Sequence, residues 1–142
     1  MVKKITRSPQ ETMALAAEFA KNHPNGGVFC LNGDLGSGKT VFTKGIAKHL
    51  GIAEREVKSP TYAFLRSYPV KDVFLHHFDF YRIEQSDELI GHDIEQYFSR
   101  KGAWIVIEWP SRVLKCLPAS KIDINFEYID EKTREITYPT NE

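Results

Sequence analysis

The string Gly33-Asp34-Leu35-Gly36-Ser37-Gly38-Lys39-Thr40 constrains this chain more than any other feature. It fits G-x-x-x-x-G-K-[ST], a pattern whose glycines let successive backbone N–H groups turn inward onto phosphate oxygens. The pattern has force only between a buried strand and a helix, because the helix must point its positive end at the same anion. Both flanks have that form. Val28-Phe29-Cys30-Leu31 is a short apolar run, and Phe42, Ile46 and Leu50 lie on one helical stripe that stops at Gly51. Lys39 is then placed to reach β- and γ-phosphates, and the Thr40 hydroxyl to bind Mg²⁺. No second threonine follows: position 41 is Val41, so no nucleotide contact is expected from a hydroxyl at 41.

The remaining chain organises around that loop. Ser8-Pro9-Gln10-Glu11 has the residues of a helix start, and the helix is expected to run to about Asn22. Phe64 to Tyr68 and Val73 to Phe78 read as strands, Ser86 to Arg100 as one or two short helices, and Ala103 to Ile107 as the most continuous apolar run. Ile122, Ile124, Phe126 and Tyr128 alternate with Asp123, Asn125 and Glu127, which marks a strand with one wet face, and Arg134 to Tyr138 forms a return strand. Runs without alternation are covered on both faces, as in parallel sheets flanked by helices. The alternating hairpin is expected at an antiparallel edge. The reading is one domain over residues 1–142, of α/β class, with a mixed sheet, a parallel centre and a C-terminal antiparallel hairpin.

Composition narrows the partners. Lys plus Arg and Asp plus Glu are 19 each, so the formal net charge is zero, whereas a domain that grips bare phosphate backbone carries a basic excess. DNA binding is therefore not expected. The balance is uneven: Met1 to Lys71 holds 11 basic and 5 acidic residues, and Asp72 to Glu142 holds 8 and 14. Cys30 and Cys116 are too few for a disulfide framework, no apolar run is long enough to span a bilayer, and the N-terminal residues lack a signal-peptide core. A reduced cytoplasmic compartment without membrane attachment is the expectation.

Carboxylates at strand ends supply the other half of a candidate site, because ligands in open α/β sheets lie beyond the carboxyl ends of the strands. Asp79 follows Phe78 and Glu108 follows Ile107. Asp79 is the candidate Walker-B-type carboxylate, holding Mg²⁺ directly or through water, or else a turn cap. Glu108 is the candidate for polarising an attacking water or for a second metal contact, or else a surface carboxylate. Their roles as ligand or base are interchangeable at this level. Thr61, after Ser59-Pro60, is a candidate γ-phosphate sensor, with a plain Ser-Pro turn as the alternative. His76 and His77 face opposite sides of one strand, so burial or hydrogen bonding is expected of them rather than shared metal ligation. Arg82 and Arg112 could reach phosphate or solvent, and Trp109 could stack, gate or pack. The chain has no Asn-Lys-x-Asp string, so ATP rather than GTP is the expected nucleotide.

Four strings together resemble the TsaE (YjeE) family of small bacterial P-loop ATPases. They are Leu31 to Thr40, Lys58-Ser59-Pro60-Thr61-Tyr62, His77-Phe78-Asp79-Phe80-Tyr81-Arg82 and Ile107-Glu108-Trp109-Pro110, in the family's order. The resemblance implies a three-layer fold of P-loop NTPase type. It implies Mg²⁺-dependent ATP hydrolysis that is slow alone and partner-dependent, in the making of threonylcarbamoyladenosine in tRNA. The partners implied are the TsaB and TsaD proteins, with tRNA engaged only indirectly. The family's Mg-ATP residues carry over to Lys39, Thr40, Asp79 and Glu108, its switch threonine to Thr61 and its tryptophan to Trp109. Its adenine contacts fall at Glu11 or Thr12. Ser37 stands where alanine is common and Ala63 where threonine is frequent. Two other readings compete: a small-molecule kinase with a lid between Arg82 and Lys101, and a nucleotide-dependent binding module with little catalysis.

Overall fold

The computed structural model of the chain describes residues 1–53, 57, 65–71, 73–81, 94–99 and 102–140. Among the described residues seven strands form one sheet: β1 (Val2–Thr6), β2 (Gly27–Asn32), β3 (Leu65–Val70), β4 (Val73–Asp79), β5 (Trp104–Glu108), β6 (Ile122–Tyr128) and β7 (Arg134–Tyr138). Their spatial order is β1-β7-β6-β2-β5-β4-β3. The four central strands β6, β2, β5 and β4 run parallel, and β7, β1 and β3 pair antiparallel to their inner neighbours. Helices α1 (Pro9–Lys21) and α2 (Lys39–His49) cover one face. A helical turn over 94–98 and a 3₁₀ segment (Pro110–Cys116) supply residues to the other.

Local chemistry sets the helix ends. Ser8 caps α1 by accepting the Glu11 N–H at 3.0 Å, and the Glu11 carboxylate accepts the Arg7 N–H at 3.0 Å. At the far end of α2, Gly51 adopts φ +89°; its N–H reaches Lys48 O and the Ile52 N–H reaches Ala47 O, the two bonds of a Schellman motif.

Strand parity divides the core. Phe29, Leu31, Leu75, Trp104, Val106, Ile124 and Phe126 face α1 and α2. Val28, Cys30, Phe78, Ile105 and Ile107 face Ile94 and Val113. This explains one difference from the sequence reading. The C-terminal hairpin is present, but β6 lies beside β2 and parallel to it, and the edge is β1, a strand the sequence reading did not contain. Alternation reports which faces are covered, not where a strand sits. The helices cover β6 on one face only, so Asp123 and Asn125 stay polar beside the parallel centre. The strand expected over Phe64–Tyr68 is Leu65–Val70, with Pro69 tolerated because β3 is an edge. Of the segment read as helical over 86–100, only 94–99 is described. There Ile94 is buried and Tyr97 packs edge-on against His76 and Phe78, which ties that part of the suggested kinase lid to the sheet.

Helices α1 and α2 meet at Gly45. A Cβ built there would collide with the Met13 carbonyl oxygen and come within 2.6 Å of the Ala16 Cβ. Gly45→Ala is therefore expected to destabilise the fold by about 1–3 kcal/mol through overpacking, reversing the helix-propensity gain of about 1 kcal/mol. Urea denaturation of the two proteins measures this, and an unchanged or raised midpoint would contradict the close approach.

Candidate functional site

The carboxyl ends of the parallel strands finish nearly flush. Leu31 pairs with Glu108, and Glu108 with Asp79. The loop that leaves β2 therefore starts two residues beyond a row holding both candidate carboxylates.

The loop is tightly seated. A Cβ on Gly33 would lie 2.7 Å from Ser37 Oγ and 2.8 Å from the Phe126 carbonyl oxygen, so no side chain fits where the backbone crosses β6. Asp34, Leu35 and Gly36 are exposed, and the Ser37 N–H folds back to Asp34 O at 3.2 Å. Gly38 caps α2 with φ +102°, a left-handed conformation that glycine adopts without steric cost. Ser37 is buried and its hydroxyl has no hydrogen-bond partner among the described residues.

Lys39 opens α2 and is only 4% exposed. Its ammonium donates to Gly33 O at 2.6 Å and sits 4.0 Å from the Trp109 ring centroid, a cation–π distance. Burial pushes its pKa below the ordinary 10.5, against the opposing pull of Glu108, Asp79 and Asp34. A buried cation at the N-terminus of a helix is suited to an anion. Thr40 follows as the second residue of α2 and Val41 as the third. A threonine at 41 has no counterpart here: Val41 is half-buried and its side chain carries no polar atom to offer a ligand. The next hydroxyl along the helix, that of Thr43, donates to Lys39 O at 3.0 Å and is buried, which leaves Thr40 as the hydroxyl of the helix start.

Asp79 and Glu108 have different surroundings. Glu108 is 4% exposed, and its Oε2 lies 2.6 Å from Nε2 of the fully buried His77. Asp79 is half-buried, and its Oδ1 accepts the Tyr81 N–H at 3.0 Å, so it also serves as the turn cap considered from sequence. Burial raises the Asp79 pKa above the ordinary 3.8 and repulsion from Glu108 adds to it, while the Tyr81 N–H, His77 and Lys39 oppose. Trp109 takes φ 60° and ψ 52°, a left-handed backbone that is costly for an aromatic residue, and its ring meets Lys39 and Tyr81.

The sequence-derived residues thus divide. Gly33 to Thr40, Asp79, Glu108 and Trp109 come together. Thr12 is buried, with its hydroxyl 2.7 Å from that of Thr6, and the Glu11 carboxylate belongs to the α1 cap. Both lie at the start of α1, where β1 ends opposite Arg134, and no described contact joins them to the loop. Arg112 N–H bonds Trp109 O at 3.3 Å. Thr61 and Arg82 lie outside the described residues. His76 bonds Ser67 Oγ at 2.8 Å on the opposite face from His77, as strand parity requires. Two residues emerge that the sequence reading did not assign to the site. His77 binds Glu108, and Arg134, anchored to Asp130 O and Thr133 O and lying over Tyr128, has its Cγ 3.8 Å from where a Gly38 Cβ would stand. The His77 bond depends on strand order, which alternation does not encode, and Arg134 lies far away in sequence.

The arrangement defines a P-loop-type three-layer α/β protein, with a glycine-rich loop between a parallel strand and a helix N-terminus and carboxylates on neighbouring strand ends. The family model for threonylcarbamoyl adenosine biosynthesis protein TsaE matches residues 6–136. The tRNA threonylcarbamoyladenosine biosynthesis protein TsaE of Bacillus subtilis (strain 168) is 39% identical over 133 residues, covering 94% of this chain and 82% of the relative. That of Treponema pallidum (strain Nichols) is 34% identical over 133 residues, covering 94% and 96%. The crystal structure of Bacillus subtilis YdiB superposes with a TM-score of 0.76 at 32% identity, covering 96% of this chain and 83% of that one. The chain belongs to the TsaE family. Among the described residues, no helix is long and apolar enough to cross a membrane.

The burial of Asp79, with repulsion from Glu108 added to it, has a consequence for stability of definite sign. The folded-state pKa of Asp79 is raised, so its cost to stability is fully present above that pKa and disappears as the pH falls below the ordinary 3.8. Asp79→Asn keeps an acceptor for Tyr81 and removes the charge. In Mg²⁺-free buffer it is expected to stabilise the fold at pH 7, with the gain shrinking toward pH 4 in paired denaturation curves; destabilisation at pH 7 would refute this.

Proposed function

We propose that this protein binds and hydrolyses Mg-ATP as an accessory protein of tRNA threonylcarbamoyladenosine biosynthesis, acting with TsaB and TsaD and meeting tRNA only through them. Membership in the TsaE family supports the pathway. The observation that carries the chemistry is the convergence of Lys39, Asp79 and Glu108 on one phosphate cradle.

Each residue's task follows from its setting. Loop N–H groups and the α2 N-terminus hold the β- and γ-phosphates, and Lys39 exchanges its Gly33 carbonyl for phosphate oxygens. Mg²⁺ fits the donor set. Asp79 and Glu108 are hard oxygen donors opposite each other on paired strands, and the charge repulsion between them is what a cation relieves. Among the described residues no three His, Cys, Asp or Glu side chains cluster as a cation cage, so phosphates and water would complete the coordination, as is usual for Mg²⁺. Thr40 and the more exposed Asp79 would hold the ion. When bound, it supplies charge neutralisation of the transferring phosphoryl group. Glu108, deeper and fixed by His77, orients the attacking water. The water oxygen bonds to the γ-phosphorus as the bond from that phosphorus to the bridging oxygen breaks, giving ADP and phosphate, with one water proton released.

Lys39→Ala is expected to weaken ATP binding and to remove hydrolysis. Glu108→Gln is expected to keep ATP affinity within about twofold and to lower the single-turnover rate by about 10²-fold or more. Both are measured with Mg-ATP in the presence of TsaB and TsaD. Unchanged hydrolysis in both variants would overturn the proposal.

A further inference from the structure

A glutamate on a strand end has three side-chain torsions, and a carboxylate that must aim one oxygen at a water cannot leave them free. His77 provides the restraint. It stands two residues before Asp79 on β4, so it shares Asp79's face and lies diagonally from Glu108 across the β4–β5 pair. From there its Nε2 comes within 2.6 Å of Glu108 Oε2, with His77 fully buried. A carboxylate accepts, so Nε2 carries the proton shared with Glu108. Nδ1 is buried without a hydrogen-bond partner among the described residues, and Glu108 has no second side-chain partner among them. A burial role alone would be met by an apolar residue with no polar atom to desolvate, since the surrounding positions Leu75 and Val106 are apolar.

We propose that His77 is the positioning residue of this site, holding one oxygen of the Glu108 carboxylate so that the other faces the nucleotide's terminal phosphate. This rests on the reading that Glu108 orients the attacking water. The imidazole touches neither nucleotide nor metal; it acts through Glu108, in the manner of the outer-sphere groups that orient metal ligands.

The test uses two amides of similar polarity. Gln at position 77 extends an N–H donor toward the place of Nε2, whereas Asn stops near Nδ1. With the full chain, Mg-ATP, TsaB and TsaD, His77→Asn is expected to lower the single-turnover hydrolysis rate by about 10–100-fold. ATP affinity should stay within about twofold, and His77→Gln should recover most of the lost rate. Adding His77→Asn to Glu108→Gln should cost little further, because the oriented carboxylate is already gone. Equal rates for His77→Asn and wild type, equal losses in the Asn and Gln variants, or additive losses in the double variant would overturn the positioning role while leaving the proposed ATPase standing. Absence of hydrolysis by the wild-type chain with its partners would overturn both. If His77→Asn does not fold, the Gln variant alone decides, since a rate within about threefold of wild type is expected and a loss as large as that of Glu108→Gln refutes the proposal.

Discussion

Everything at this site depends on the register of the parallel strands. Because Leu31, Glu108 and Asp79 lie level across β2, β5 and β4, a loop leaving β2 and two carboxylates from separate parts of the chain reach one rim without long side-chain excursions. A shift of one residue in any pair would turn the carboxylate to the other face of the sheet, into the cluster around Phe78 and Ile107. The register is held by apolar side chains, with Leu31, Val106 and Leu75 fully buried on the same strands below Gly33, Glu108 and Asp79. The core thus sets the reach of the chemistry.

The rim also concentrates opposed electrostatic costs. Lys39 is buried with its charge disfavoured, Asp79 is pushed toward protonation, and Trp109 carries a left-handed backbone. Each is unfavourable alone, and the proposed Mg-ATP would answer the first two together. Stability is given up where binding can recover it. The remainder of the fold is conventional: the α1 cap, the Schellman end of α2 and the apolar strand faces all agree with local preference.

Much of this was legible in the sequence. The loop, both helices, the uncovered face of β6 and the two strand-end carboxylates each leave a local signal, because capping residues, periodicity and glycine placement act over a few residues. What escaped is non-local. β1 reads as a basic N-terminal stretch because Lys3 and Lys4 are exposed, and only its pairing with β7 makes it a strand. The position of β6 beside β2, the His77–Glu108 bond and the approach of Arg134 to Gly38 all follow from strand order, which no periodicity encodes. Glu11 and Thr12, the alternatives at which the resemblance puts adenine contacts, have their polar groups engaged by the α1 cap and by Thr6 respectively.

The pairing of β1 with β7 has a consequence for how the molecule is made. Val2 aligns with Tyr138, so the sheet's outer edge pairs two of the described strands about 130 residues apart. Closing so long a loop is entropically slow, and during synthesis β1 must wait until Arg134–Tyr138 has emerged. Until then β6 and β7 are unmade and the β2 side of the centre is open. The loop after β2, whose Gly33 rests on Phe126 of β6, is therefore completed only once β6 has been made.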